Sequence, residues 1–131
     1  MIGLDTNVLV RYLAQDDPKQ AALATKLIES LTTDEPGFIS HVVLAETLWV
    51  LESCYVADSA RVQQVVDAML RTSGIVVERA ESVWRALRQF KQNDGEFADT
   101  LIAVSAADAG CRATYTFDKG AAKRSGMTLL A

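Results

Sequence analysis

Two aspartates directly follow apolar runs that have the composition of buried strands. Asp5 comes after residues 1–4, and Asp118 comes after residues 113–117. Ligands of open α/β sheets bind outside the carboxyl ends of the strands, so acids at two such ends are well placed for carboxylate chemistry such as metal binding. Each aspartate could instead cap the helix that follows it, because Asp is a common N-cap residue.

Two further acids lie inside predicted helices that are otherwise apolar. Glu46 interrupts the apolar helix predicted over residues 40–55, and Asp99 is the only charged residue between positions 97 and 107. Acidic side chains are rarely fully buried without a partner. Either a Lys or Arg from elsewhere neutralises each acid, or the helix has a polar edge, or the acids of the chain gather at one site.

A shared site is the interpretation that accounts for all four acids together. Two carboxylates about 5 Å apart at an effective dielectric constant of about 20 repel by roughly 3 kcal/mol. Four clustered acids would therefore oppose folding by an amount that approaches the whole stability of a small domain, about 5–15 kcal/mol. Such a cluster must take up protons or hold a cation, and oxygen-only ligands select hard ions such as Mg²⁺ or Mn²⁺. The spacing alone does not establish that the four acids converge.

The elements that would position these acids alternate along the chain. Short apolar runs without polar alternation predict strands, and patterns with a 3.6-residue period predict the helices between them. Polar residues mark three helix starts, at Asp17 (before Pro18), Ser40 and Asp58. The alternation predicts an α/β fold in which helices cover both faces of a short parallel sheet, as a three-layer α/β/α sandwich. We expect strands at about residues 1–4, 38–39, 75–77, 113–117 and 128–130, with helices between them.

Length and composition predict a small intracellular domain. The 131 residues fit one domain that spans the whole chain, and the hydrophobic share of 50% suggests apolar surface that a partner covers. The chain has no basic leader and no apolar run as long as a membrane span, which favours the cytoplasm. Cys54 and Cys111 are then expected to be reduced and buried.

The net charge of −4 argues, by itself, against a nucleic-acid partner. That objection weakens if several of the acids are gathered at a metal site, because bound cations would cancel their charge.

Four short motifs, in the order LDTNVL, LAETLWVL, EFADTLIA and TFDKG, resemble the PIN-domain family. More narrowly, they resemble the VapC-type toxins of type II toxin–antitoxin systems, and the resemblance extends from Met1 to the end of the chain. In that family, the acids of the motifs gather at one end of a Rossmann-like parallel sheet and bind one or two divalent metals. The resemblance therefore implies catalytic and metal-binding roles for Asp5, Glu46, Asp99 and Asp118.

The resemblance also implies supporting roles for nearby residues, and the chain departs from the family at two places. Thr6, Asn7 and Thr116 match polar positions that would orient the carboxylates. Glu96 stands where family members often carry Asp, one helical turn before Asp99, so it is a candidate additional metal ligand. After Asp118 the family often has Asp-Phe, whereas this chain continues with glycine and alanine at positions 120 and 121.

The function implied is that of an endoribonuclease that depends on Mg²⁺ or Mn²⁺. Metal-activated water would hydrolyse an RNA phosphodiester and leave a 5′-phosphate. His41 is the only histidine, so acid–base catalysis by two histidines is excluded. The cations nearest to the acids in sequence would either contact RNA phosphates or form a solvated face, and they are Arg11, Lys119, Lys123 and Arg124.

The resemblance further implies a homodimer and a cognate antitoxin whose C-terminal segment covers a groove near the acids. Two other functions compete with the nuclease. One is aspartyl-phosphate phosphotransfer, but Asn7 stands where the phosphatases of that class need a second aspartate. The other is a non-catalytic PIN-like binding module. Such modules typically lose one or more acids, and this chain keeps all four. Thermal stabilisation by Mn²⁺ would discriminate an intact acid cluster from a degenerate one.

Overall fold

The computed structural model describes residues 1–131 and has an α/β fold of seven helices and five strands. The predicted α/β class with a short parallel sheet is therefore confirmed. The chain divides into two compact units, Met1–Glu78 (unit 1) and Arg79–Ala131 (unit 2). Unit 1 contains β1 (Ile2–Gly3), α1 (Thr6–Ala14), α2 (Pro18–Glu29), β2 (Gly37–Ile39), α3 (His41–Cys54), α4 (Ser59–Arg71) and β3 (Ile75–Val77). Unit 2 contains α5 (Ala80–Asn93), α6 (Phe97–Asp108), β4 (Tyr115–Thr116), α7 (Lys119–Arg124) and β5 (Thr128–Leu129).

The sheet of unit 1 is fully parallel, in the order β1-β2-β3. Its register pairs Gly3 with Phe38, and Phe38 with Val76. Because the strands run in the same direction, their carboxyl ends meet at one edge. Asp5 follows β1 at that edge, and α3 begins there directly after β2.

The helix starts of unit 1 follow the capping residues that the sequence shows. The side chains of Asp17, Ser40 and Asp58 each accept a hydrogen bond from a backbone amide in the first turn of the next helix. A different feature of α2 was not expected. This helix buries Ala21 and Ala24, whereas Leu23 is 63% exposed. Helix α2 therefore packs through its small residues, and Leu23 lies outside the core.

Unit 2 is organised around the contact between α5 and α6. The rings of Phe90 and Phe97 meet edge to face at 5.7 Å, and both side chains are fully buried. A second, two-stranded parallel sheet pairs Tyr115 with Thr128. The sequence predicted the strands but not this separate pairing. Helix α7 lies between β4 and β5 in the chain and contacts both strands.

The prediction of buried cysteines is wrong. Cys54 ends α3 and Cys111 follows α6, and both are exposed free thiols. Exposed apolar side chains also lie on α3, where Val42 is 77% and Trp49 is 56% exposed. None of the helices is long and apolar enough to cross a membrane.

Candidate active site

Asp5 and Glu46 belong to unit 1, and a threonine hydroxyl connects the segment that follows Asp5 to Glu46. Asp5 occupies the N-cap position of α1, yet its side chain makes no capping hydrogen bond. Helix capping therefore does not account for this exposed acid. The next residue, Thr6, is buried, and its hydroxyl donates to Oε1 of Glu46. This hydrogen bond links the first turn of α1 to α3, and it holds the Glu46 side chain beside Thr6.

Three acids of unit 2 line one open cleft of about 410 Å³: Glu96, Asp99 and Asp118. Asp99 lies in the first turn of α6, and Glu96 is the N-cap residue of the same helix without a side-chain capping bond. Asp118 does cap its helix. Its Oδ1 accepts from the amides of Gly120 at 2.7 Å and Ala121 at 3.1 Å. Both of these hydrogen bonds end on Oδ1, so Oδ2 of Asp118 accepts none from the amides of α7.

The surroundings of Glu96 and Asp99 in this cleft disfavour their charged forms. Partial burial raises the pKa of Asp99 above its usual range, and the charge of Asp118 raises it further. The pKa of Glu96 is also raised, first by desolvation and then by the charges of Asp99 and Asp118. A bound cation would reverse these effects, because it favours the ionised form of every carboxylate around it.

No lysine or arginine neutralises these acids. The ion pairs of the chain involve other acidic residues, namely Glu35, Asp16, Asp67 and Asp108. The salt-bridge explanation for Glu46 and Asp99 is therefore rejected. Glu46 accepts a hydrogen bond only from a neutral hydroxyl, so its charge stays available to a ligand.

Comparison with known proteins decides the family. The family model described as "PIN domain" matches residues 2–126. The chain belongs to the PIN-domain family. It is also similar to a protein named VapC ribonuclease from Aquifex aeolicus (strain VF5), with 25% identity over 116 residues, which is 88% of this chain and 86% of the relative.

The donor chemistry of this PIN domain fits a hard divalent cation, because the acids of both units offer only oxygen atoms. As the side chains stand, no group of three or more His, Cys, Asp or Glu residues is arranged to hold a metal ion. The acids are also less enclosed than the sequence suggested. Asp99 is half-buried, whereas Glu46 is exposed, so the expectation of a buried Glu46 is wrong. Helix α3 is apolar on its solvent side too, and an apolar neighbourhood in sequence therefore did not mean burial.

The residues expected to orient the carboxylates differ in what they contact. Thr6 bonds to Glu46, as described above. The hydroxyl of Thr116 accepts a hydrogen bond from the amide of Asp118 at 3.0 Å and so fixes the backbone at that acid. Asn7 is exposed, and no hydrogen bond involves its side chain.

Three of the four predicted RNA-binding cations share the cleft of unit 2. Lys119, Lys123 and Arg124 line it together with the acids, and none of the three forms an ion pair. Arg11 lies in unit 1, where its guanidinium pairs with Asp16 at 3.5 Å and bonds to Gln20. The cations of α7 are therefore the ones available to a phosphate.

Gly95 lines the cleft, and its lack of a side chain is required by the packing around it. A Cβ added at this position would lie 2.6 Å from Oγ of Ser125 and 3.0 Å from Cβ of Arg124. Only glycine lets the segment before α6 approach the end of α7 this closely. The preceding Asp94 ends α5 in the left-handed conformation, with a φ of 53°, so the chain turns tightly just before Gly95.

Proposed function

We propose that this PIN domain is the toxin of a toxin–antitoxin pair and acts as an endoribonuclease dependent on Mg²⁺ or Mn²⁺. One observation carries the proposal: acids at the matching motif positions have no ion-pair partner, and in the unit 2 cleft partial burial and the charge of Asp118 raise the pKa of Glu96 and of Asp99. An acid cluster of this kind is costly for a protein that binds no cation. The similarity to a VapC ribonuclease supports RNA as the substrate.

The proposed metal ligands are Asp5, Glu46, Asp99 and Asp118, with Glu96 as an additional candidate. When bound, the divalent ion supplies Lewis acidity, which acidifies a water molecule and stabilises negative charge on the phosphate. We propose that residues 1–131 form one nuclease domain.

The chain's own groups position the acids and the substrate. The hydroxyl of Thr6 orients Glu46, and the amides at the start of α7 hold one oxygen of Asp118. Lys119 and Lys123 attract the phosphate backbone to the same cleft. Histidine takes no part, because His41 is the only one and its Nε2 is buried without a hydrogen-bond partner.

We propose that a partner protein binds to the exposed face of α3. Val42, Glu46 and Trp49 are all exposed and are spaced by four and three residues, so they share one side of the helix. An antitoxin segment that covers this apolar stripe would also reach Glu46. We propose an antitoxin of this kind, a homodimer of the chain and a cytoplasmic site of action.

The test is cleavage of RNA by protein freed of metal with EDTA and then supplied with Mg²⁺ or Mn²⁺. Glu46→Gln and Asp99→Asn are expected to abolish cleavage, and products should carry a 5′-phosphate. Asp67→Asn is the matched control, because Asp67 is an acid paired with Arg71 on the surface of α4 and should not be needed. Cleavage that persists without metal, or full activity of Asp99→Asn, would contradict the proposal.

A further inference from the structure

Positive charge is concentrated in unit 2. Unit 1 has 5 Lys and Arg residues against 11 Asp and Glu, whereas unit 2 has 8 against 6. Three of the acids of unit 2 line the cleft, where a bound cation would offset them. The overall charge of −4 therefore hides a cationic unit, and the objection to a nucleic-acid partner does not apply to it.

The most exposed aromatic side chain of the protein stands beside this cleft. Phe117 is 81% exposed, whereas the phenylalanines at positions 90 and 97 are fully buried. It directly precedes Asp118 and Lys119, which both line the cleft, so its Cα is about 3.8 Å from that of Asp118. Phe117 is therefore not part of the core, and its ring is accessible to a ligand that binds in the adjacent cleft.

Together, these observations describe the two parts of a site for unpaired nucleotides. Proteins that bind single strands combine cations that follow the phosphates with aromatic rings on which bases stack. Here Lys119, Lys123 and Arg124 are free of ion pairs, and Phe117 supplies the ring. A second copy of the chain is a less suitable occupant, because the lysines and the arginine that line the adjacent cleft would have to be covered as well.

We propose that Phe117 stacks on an unpaired base next to the phosphate that is cleaved, and so selects flexible or looped RNA over duplex. The inference rests on the proposed nuclease function and adds a specificity residue to it. Bases inside an RNA duplex are stacked on their neighbours and cannot present a face to Phe117. The cations of α7 would bind the flanking phosphates of either form, so the ring is what discriminates.

The experiment measures the binding of a 12-nucleotide single-stranded RNA that contains 2-aminopurine, and of the same RNA in a blunt duplex. The protein carries Asp99→Asn so that the RNA stays intact, and Mg²⁺ is present. Phe117→Leu, which keeps an apolar side chain but removes the ring face, should bind the single strand about 10- to 100-fold more weakly. Phe117→Trp should restore affinity, and 2-aminopurine fluorescence should be quenched only when position 117 is aromatic. Val56→Ala, at an apolar residue that is 86% exposed in unit 1, should leave binding unchanged.

Cleavage of the same single strand by the wild-type protein, with metal, separates the two proposals. If the wild type cleaves the RNA but Phe117→Leu binds like its parent, the stacking role is wrong and the nuclease stands. If the wild type cleaves no RNA while binding still depends on an aromatic residue at position 117, the nuclease function is wrong and the stacking surface stands. A change in the oligomeric mass of Phe117→Leu, with unaltered RNA affinity, would instead assign the ring to a contact between copies of the chain.

Discussion

Replacement of Thr6 by valine separates the orientation of Glu46 from the stability of the fold. Valine keeps the branched shape of Thr6, which is only 5% exposed, and removes the hydroxyl that donates to Glu46. A hydrogen bond to a charged group contributes about 1.5–3 kcal/mol. Glu46 is exposed, so water replaces the lost donor, and we expect a cost in unfolding free energy of about 1 kcal/mol or less.

The effect on metal binding should be much larger than the effect on stability. Loss of a group that orients a metal ligand typically lowers metal affinity or activity by about 10- to 100-fold. Mn²⁺ affinity is measured by calorimetry, kcat/KM by cleavage of a labelled RNA, and stability by urea unfolding of the metal-free protein. Thr6→Ser, which keeps the hydroxyl, should retain most of the affinity.

Thr47 offers the matched control, one residue after Glu46 on the same helix. It is fully buried, and its hydroxyl has no hydrogen-bond partner. A buried unsatisfied polar group costs about 1–3 kcal/mol, so Thr47→Val should raise stability by roughly 1 kcal/mol and leave Mn²⁺ affinity unchanged. The orienting role of the Thr6 hydroxyl is excluded if Thr6→Val binds Mn²⁺ and cleaves RNA like the wild type, or if Thr47→Val loses these properties instead.

Three other perturbations give distinct results. Burial and the charge of Asp118 raise the pKa of Asp99, so ionisation of Asp99 opposes folding at neutral pH. Asp99→Asn should therefore raise the urea midpoint of the metal-free protein at pH 7. A gain that persists well below the ordinary aspartate pKa of 3.8 would contradict this cause. The pKa of Asp108 is lowered, chiefly by the hydrogen bond from Ser82, so this acid contributes stability that is present above pH 3.8 and lost as the pH falls. Asp108→Asn should therefore lower the urea midpoint at pH 6 and have little effect at pH 2, and an equal loss at both values would exclude the ionised form as the cause. Val56 is 86% exposed and has a φ of 53°, a left-handed conformation that glycine adopts more readily than valine. Val56→Gly should therefore stabilise the protein by about 0.5–1 kcal/mol in thermal unfolding. A loss of stability would show that the valine side chain makes a stabilising contact.

Local signals predicted most of the secondary structure. The caps at Asp17, Ser40 and Asp58 mark helix starts because a side-chain oxygen satisfies an amide of the first turn, and this is a property of a few neighbouring residues. The pairing of β4 with β5 depends on contacts between strands and cannot be read from either strand alone. The burial of Ala21 and Ala24 in place of Leu23 has a related cause, since the neighbouring helices decide which face of α2 is covered.

The candidate site was predictable in its residue types but not in its surroundings. The positions of Asp5 and Asp118 after apolar runs identified strand ends, and the structure shows that only Asp118 caps a helix with its side chain. The bond from Thr6 to Glu46 spans 40 positions of the chain, so spacing could not predict it. Phe117 gave no signal, because an apolar residue after a strand-like run is normally part of the core.

A crystal structure of the protein grown with Mn²⁺ would show whether these carboxylates bind a divalent ion, because anomalous scattering locates the ion without reference to activity. We expect an anomalous peak surrounded by carboxylate oxygens of Asp5, Glu46, Asp99 and Asp118, with ligand distances of about 2.1 Å. A peak held by other residues, or no peak at saturating Mn²⁺, would exclude the proposed metal site.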